Sequence, residues 1–443
     1  MSGADTIFAL SSARGRAGIA VVRVSGPRAG AALAALTGKS HLQPRVAERV
    51  RVRDAASAPI DDGLALFFPA PRSVTGEDVG ELHVHGGRAV IAGVLEALAA
   101  LPGLRPAEPG EFTKRAFLNG KIDLTAAEGL GDLVDAETAA QRRQALRQME
   151  GGLAALYEDW RVRLVRALAH LEAEIDFADE DLPRDVAGLA MAGLGGLRAE
   201  IARHLDDRRR GEVLREGLSV AILGAPNVGK SSLMNALTRR ETAIVSSIAG
   251  TTRDIVEARL DLGGYPILLA DTAGLREVDE AAGRDPIERE GVRRALARAE
   301  HADLRLLVFD ARTGPDAAVA GLVGPDALLV ANKSDLAPAP SAPAGALIVS
   351  AVTGQGLDEL RARLLAEAEA RMDSGDTPAI TRARHRAALR ECVAGLERAA
   401  VASSPELVAE DVRLAARSLG RITGRVEVED LLDVIFREFC IGK

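Results

Sequence analysis

The feature that most limits how this chain can fold is a short glycine-rich loop near its middle. Gly224, Gly229, Lys230 and Ser231 fit the pattern G-x-x-x-x-G-K-[ST], between the apolar run Leu218–Leu223 and a helical stretch at 232–237. Glycines in such a loop let successive backbone N–H groups turn inward around an anion, and the following helix points its positive end at the same place. The pattern needs a strand before it and a helix behind it, so the surrounding segment must be α/β. Further apolar runs at 266–270, 304–309, 327–331 and 346–349 alternate with helical segments. That texture predicts a mostly parallel sheet covered on both faces. Lys230 is expected to reach outer phosphates and the Ser231 hydroxyl to ligate magnesium, with Asn227, Val228, Gly229 and Ser232 completing the loop.

Three more motifs follow in the order a guanine-nucleotide hydrolase requires. Thr251, Thr252, Arg253 and Asp254 supply a switch threonine, Thr252, as a second magnesium ligand. Asp271, Thr272, Ala273 and Gly274 end a buried run, so Asp271 can hold magnesium through water while the Gly274 N–H senses the terminal phosphate. Asn332, Lys333, Ser334 and Asp335 end another and select the base. A carboxylate at Asp335 accepts from guanine N1–H and the 2-amino group, where adenine has no donors. Ser350 and Ala351 are expected to close the pocket beside guanine O6. Leu275 stands where Ras-like proteins carry a water-orienting glutamine, so another group must position the attacking water.

A chain of 443 residues is too long for one core. The first part, 1–120, has the punctuation of an α+β domain, with β-rich runs at 19–24, 64–68 and 79–84 separated by Gly/Pro turns. No proline then occurs between Pro109 and Pro183. Leu146, Met149, Leu153, Leu156, Trp160, Leu164, Leu168 and Leu171 recur at steps of three and four, one stripe of a helix, with Gly151 and Gly152 interrupting propensity but not phase. Pro338 to Pro343 reads as a surface loop, and helical patterns return at 385–402, 405–419 and 427–439. The predicted architecture is multidomain. An α+β domain spans 1–120, a discontinuous α-helical bundle 121–214 and 378–443, and an inserted α/β P-loop GTPase domain 215–377.

Composition narrows the setting. A net charge of −8 disfavours a general nucleic-acid coating protein but leaves room for a local basic surface. Two cysteines, Cys392 and Cys440, make no disulfide framework and suit a reducing cytoplasm. No signal peptide and no membrane-spanning run is visible, so a cytoplasmic protein without membrane insertion is expected.

Beyond the nucleotide motifs, the whole chain resembles the MnmE (TrmE) family of tRNA-modification GTPases. The resemblance lies in Asp5–Ile7 and 18–26, in Thr75 to Gly87, in Arg105 to Lys121, and in the terminal Phe439, Cys440, Ile441, Gly442 and Lys443. It implies a homodimer whose N-terminal domain binds 5-formyl- or methylene-tetrahydrofolate through Arg23, Glu81, Lys121 and Lys443. It implies a flavoprotein partner, MnmG, in a heterotetramer that installs a (carboxymethyl)aminomethyl group at carbon 5 of the tRNA wobble uridine. It also implies that Asn227 ligates potassium in place of an arginine finger. The carbonyls of Ser246 and Ile248 and the Thr251 region would share that ion, within a GTP-contacting loop of Ser246, Ser247, Ile248, Ala249, Gly250, Thr251 and Thr252. Glu288 matches the acid that activates or orients water, with Glu290 as its rival. The stretch 277–285 is longer than usual before it, and Ser246 and Ser247 stand where Thr-Asp is frequent. His83 and His85 are too few for a zinc site and read as packing.

Two other classes compete. An RNA-binding ribosome-assembly GTPase of the Era or Der type would append a basic domain with a Gly-x-x-Gly loop, whereas this chain ends in an acidic helix and Cys-Ile-Gly-Lys. A pure signalling switch is disfavoured by Leu275 and the large flanking domains.

Overall fold

The computed structural model describes the chain except residues 1–4, 14, 177–185, 241, 244–256, 272–301, 337–341, 374, 376, 427–431, 433–434, 438 and 443. It divides into two compact units, one of Met1–Gly131, Tyr157–Arg161 and Arg417–Lys443, the other of Asp132–Leu156 and Val162–Ala416. The division shares the helices expected at 121–214 and 378–443 between both units. One cause is packing, because Leu124 and Ala127 share a core with Leu432, Ile435 and Phe436.

The first unit is built on a sheet of β1 (Thr6–Leu10), β2 (Ala17–Ser25), β3 (Glu48–Arg53), β4 (Pro59–Phe68), β5 (Val79–Gly86) and β6 (Leu104–Pro106). Their order is β3-β4-β5-β2-β1-β6. Neighbours are antiparallel except β1 and β6, which run parallel. Helices α1 (Ala29–Thr37) and α2 (Arg88–Ala99) cover one face, where Leu33, Leu36, Val94 and Leu98 join Val22, Val24, Leu82 and Val84 in the core. Gly80 interrupts the β5 alternation because a Cβ there would lie 2.7 Å from the Leu33 side chain. Strands β1, β3 and β6 were not among the β-rich runs. In β3 only Val50 and Val52 are buried, between exposed or half-buried charges, as suits the edge of a sheet.

The second unit carries seven described strands in the order β13-β12-β11-β7-β10-β9-β8. They are β7 (Leu218–Leu223), β8 (Thr242–Ala243), β9 (Glu257–Leu262), β10 (Tyr265–Asp271), β11 (Leu304–Asp310), β12 (Ala327–Asn332) and β13 (Leu347–Ile348). All pairings are parallel except those of β9. The apolar runs at 266–270, 304–309 and 327–331 each extend to a polar residue, Asp271, Asp310 or Asn332, at the carboxyl end of the sheet. Strand β9 was missed, although Ala258, Leu260 and Leu262 alternate into the core. Gly263 and Gly264, at φ of 62° and 90°, make its hairpin turn to β10.

The helical stripe needs a correction. The structure has two helices, α3 (Ala139–Met149) and α4 (Gly152–Asp176), broken at Gly151 with φ of 88°. Leu146 is exposed, while the buried stripe of α4 is Leu153, Tyr157, Trp160, Leu164, Ala167 and Leu171. Trp160 is buried, beside Tyr157 with ring centroids 5.6 Å apart. Helices at Ala383–Val401 and Pro405–Thr423 follow the later patterns, and the pattern at 427–439 lies only partly within the described residues.

Where the α/β segment is inserted, the inbound helix Arg210–Glu216 meets the outbound segment. Gly211 has room for no Cβ, which would stand 2.4 Å from the Ile380 carbonyl oxygen. Arg386 donates to Glu212 (3.0 Å), Asp207 (2.7 Å) and the Leu205 carbonyl (2.9 Å), so a buried guanidinium ties the two crossings.

Candidate functional sites

The glycine-rich loop leaves β7 and enters the helix Lys230–Arg240, as the motif demands. A Cβ on Gly224 would lie 2.1 Å from the Val308 carbonyl oxygen and one on Gly229 2.4 Å from Asn332 Nδ2, so both glycines are required by close approach. Asn227 between them is exposed and left-handed, at φ of 63°. Lys230 is 5% exposed, and its ammonium donates to the carbonyls of Gly224 (2.9 Å) and Ala225 (2.8 Å) at the mouth of the loop. Ser231 and Ser232 open the helix on its exposed side. An ammonium, a helix N-terminus and a serine hydroxyl at one point suit a phosphate chain with a hard cation.

The residues expected to select the base follow from the end of β12, on the same edge. Asn332 is 1% exposed; its Nδ2 donates to the Val228 carbonyl (2.9 Å) and its Oδ1 accepts from the Ala351 N–H (3.1 Å). One amide thereby fastens the phosphate loop to the segment expected to close the base pocket. Lys333, left-handed at φ of 65°, donates from Nζ to the Asn227 carbonyl (2.5 Å) and to Asp310 Oδ2 (3.1 Å). Asp335 is exposed and accepts from the buried Ser350 hydroxyl (2.5 Å), whose oxygen in turn accepts from the Thr353 N–H (3.1 Å). Asp310 was not singled out from the sequence. The hydrogen bond from Arg312 holds its carboxyl far below the ordinary carboxylate range, with Lys333 adding to the effect against the opposing cost of burial. Its signal was there to read, as an acid ending an apolar strand on the edge where α/β sheets bind ligands.

A second constellation lies in the first unit. Arg23 on β2 stands opposite Glu81 on β5, with Nε and Nη2 donating to Oε1 at 3.0 and 2.9 Å. The Arg23 guanidinium lies 5.8 Å from the Phe112 ring centroid, and His83 Nε2 is 3.2 Å from the other Glu81 oxygen. Lys121 donates to the Pro71 carbonyl (3.1 Å) and runs beside Gly76, where a Cβ would be 3.4 Å from its stem. The chain end reaches the same sheet. Ile441 bridges to Pro109, Ser11 donates to the Gly442 carbonyl (2.9 Å), and a Cβ on Gly442 would stand 2.1 Å from the Leu10 carbonyl oxygen. Leu10 pairs with Val22, next to Arg23. His85 pairs with Asp61 at 2.9 Å, and no cluster of three metal-binding side chains occurs among the described residues.

Known proteins match nearly the whole chain. The family profile described as GTP-binding protein TrmE N-terminus matches residues 6–121, and that described as MnmE helical domain matches 124–440. The protein named tRNA modification GTPase MnmE in Parvibaculum lavamentivorans is 61% identical, covering 99% of this chain and 100% of its own. Its namesakes in Paramagnetospirillum magneticum and Rhodospirillum rubrum are each 59% identical, again over 99% of this chain and over 100% and 99% of their own. The chain belongs to the MnmE family of tRNA modification GTPases. Among solved structures, the G domain of the T. maritima FeoB iron transporter is 29% identical over 34% of this chain and 98% of its own, with a TM-score of 0.24.

Several residues expected to matter to an MnmE-family enzyme lie outside the described residues. They are Ser246, Ser247, Ile248, Ala249, Gly250, Thr251, Thr252, Thr272, Ala273, Gly274, Glu288, Glu290 and Lys443. Asp271 ends β10, which pairs with β7 up to Ile222, and so stands on the phosphate-loop edge of the sheet. Cys440 is exposed in the docked tail, whereas Cys392 is buried and its thiol pushed up to about 12 by that burial. No helix among the described residues is long and apolar enough to cross a membrane.

Proposed function

We propose that the chain is a cytoplasmic, potassium-stimulated GTP hydrolase acting in tRNA modification. As a homodimer with the flavoprotein MnmG it would install a (carboxymethyl)aminomethyl group at carbon 5 of the wobble uridine, with 5-formyl- or methylene-tetrahydrofolate supplying the one-carbon unit. The observation that carries this reading is the coexistence of two chemically different sites in one chain. One joins an ammonium, a helix N-terminus and an acceptor carboxylate, as a guanine nucleotide requires. The other sets an Arg–Glu pair and an aromatic ring beside a docked chain end. The hard oxygen of Ser231 suits magnesium, with Thr252 as the second ligand. Asn227, exposed at the turn of the phosphate loop, fits a monovalent cation shared with Ser246, Ile248 and Thr251. Such a cation supplies positive charge where the transition state gathers negative charge. Arg23, Glu81, Lys121 and Lys443 combine cations for a glutamate tail with an acceptor for pterin N–H groups. Glu288, with Glu290 as its rival, orients the attacking water that Leu275 cannot.

The test is GTP turnover in potassium and in sodium, run beside titration with 5-formyl-tetrahydrofolate. Potassium should accelerate the wild type well beyond sodium, and Asn227→Ala should erase the difference while GDP still binds. Glu288→Ala should lower the stimulated rate by on the order of 10²–10⁴, and Arg23→Ala should lose folate alone. Equal rates in the two salts would remove the cation from the mechanism, and folate binding undiminished by Arg23→Ala would remove the second site.

A further inference from the structure

Strand β11 is buried along nearly its whole length and ends on an acid, Asp310, that is 8% exposed. A carboxylate taken out of water costs free energy unless charged or polar donors surround it. Asp310 has four such contacts. Its Oδ1 accepts from the Arg312 N–H (3.0 Å) and Nε (2.9 Å), and its Oδ2 from Arg312 Nη2 (2.7 Å) and Lys333 Nζ (3.1 Å). The Lys333 ammonium also donates to the Asn227 carbonyl in the phosphate loop. Lys333 and Asn227 are both non-glycine residues in the left-handed region, a conformation that persists only where its surroundings enforce it. One ammonium therefore joins two strained turns, the base-selecting turn and the phosphate-loop turn, and one buried carboxylate fixes that ammonium.

We propose that Asp310 is a positioning residue for guanine nucleotides. It holds Lys333 so that the base-selecting turn and the Asn227 turn are locked together, while Arg312 satisfies the rest of the carboxylate. This goes beyond the family's motifs, rests only on the guanine-nucleotide reading, and does not depend on potassium. The opposing account is that Asp310 merely closes the turn after β11 through Arg312, since Thr313 N–H also donates to the Asp310 carbonyl (3.1 Å). The two accounts differ in which partner matters. If the Lys333 link carries the effect, losing the carboxylate charge weakens nucleotide retention even with Arg312 in place. If the turn carries it, removing Arg312 does equal damage.

The experiment measures dissociation of a fluorescent GDP analogue and steady-state GTP hydrolysis. It compares the full-length chain with Asp310→Asn, Arg312→Ala, Lys333→Ala and the double variant Asp310→Asn/Lys333→Ala. Failure of the wild type to retain GDP would refute the guanine-nucleotide reading itself, separately from this proposal. Asp310→Asn should raise the dissociation rate and the KM for GTP by on the order of tenfold or more, with kcat at saturation within a few-fold. Arg312→Ala should stay close to wild type, and Asp310→Asn should add little in the Lys333→Ala background, because both changes break the same link. Asp310→Glu, which keeps the charge, should recover part of the retention; if the asparagine variant does not fold, it carries the same comparison against Lys333→Ala. Unchanged dissociation, equal effects of Arg312→Ala and Asp310→Asn, or effects that multiply in the double variant would each overturn the proposal.

Discussion

Asn332 has no freedom to turn its amide over. Its Nδ2 faces the Val228 carbonyl in a buried contact, and its Oδ1 faces the Ala351 N–H in a half-buried one. Asn332→Asp would set a carboxylate oxygen against the Val228 carbonyl oxygen, two acceptors at hydrogen-bond distance with no proton between them. The phosphate loop would have to move away from that edge, since leaving a buried polar contact unmade costs about 1–3 kcal/mol. GDP affinity measured by calorimetry should fall on the order of 10- to 100-fold, and an unchanged affinity would mean that the link is dispensable. At this scale the sequence was legible wherever chemistry follows from residue type and order. Lys230 and Asp335 could be given roles because an ammonium and a carboxylate can do few other things in those motifs. What Asn332, Asp310 and Gly229 do depends on who stands beside them, and those neighbours are some 100 or 20 residues away in the chain.

The helix Glu111–Leu118 makes the same point with charges. Arg115, with a side chain 4% exposed, donates to Asp5 (2.9 Å), Glu77 (3.1 Å) and Glu111 (3.0 Å), and Arg105 grips Glu111 from the other side at 2.6 and 2.8 Å. Such charges look like a solvated face in the sequence; the fold turns them into a half-buried ionic network centred on the buried Arg115 and Glu111. Burial alone would raise the Glu111 carboxyl, but hydrogen bonds from Arg105, the Glu108 N–H and Arg115 outweigh it and hold it below its ordinary value. Asp5 is held down in the same way by Arg105 and Arg115 against the cost of burial. A carboxylate whose folded pKa is depressed contributes stability that is present above its unfolded value and lost as pH falls through the folded one. The network should therefore stabilise the first unit fully at neutral pH and fade below about pH 4.5, the ordinary value for a glutamate. Arg115→Met should cost about 1–3 kcal/mol at pH 7, because it strips Glu77 of its cation and leaves Glu111 and Asp5 with Arg105 alone. In urea denaturation the gap from wild type should narrow at pH 3.5–4; a gap independent of pH would show that Arg115 acts by packing alone. Strands β1, β3, β6 and β9, which the sequence did not show, are short or carry charge on one face, so their pattern becomes strand-like only when partners supply the other half.

For the whole molecule, what counts is which distant parts of the chain fold together. The α/β segment reads directly from its alternating apolar runs, and the C-terminal motif reads by resemblance, but nothing in the sequence says where that motif docks. In the structure the tail belongs to the unit of the N-terminal sheet, whereas every described residue expected at the nucleotide site belongs to the other unit. Gly442 is the anchor. At φ of 99° and with no space for a Cβ against Leu10, it admits no other residue without shifting the tail. Among the described residues the tail is tied by the Ser11 hydroxyl to the Gly442 carbonyl, the Gly110 N–H to the Cys440 carbonyl at 3.4 Å and the Ile441–Pro109 bridge, all within two residues of Gly442, so a change there should dislodge it. Deleting residues 440–443, or substituting Gly442→Val, should leave GTP turnover within a few-fold of wild type. The same variants should lose 5-formyl-tetrahydrofolate binding and the modified wobble nucleoside in tRNA from a complemented deletion strain. Gly442→Val is the sharper of the two, because it retains Cys440 and Lys443 and tests their placement instead of their presence. If GTP turnover collapses while circular dichroism shows the fold intact, the tail serves the nucleotide site and the separation of the two chemistries is wrong. If folate binding and modification both survive Gly442→Val, the docked tail is no part of the second site, and Arg23 and Glu81 must find their ligand without it.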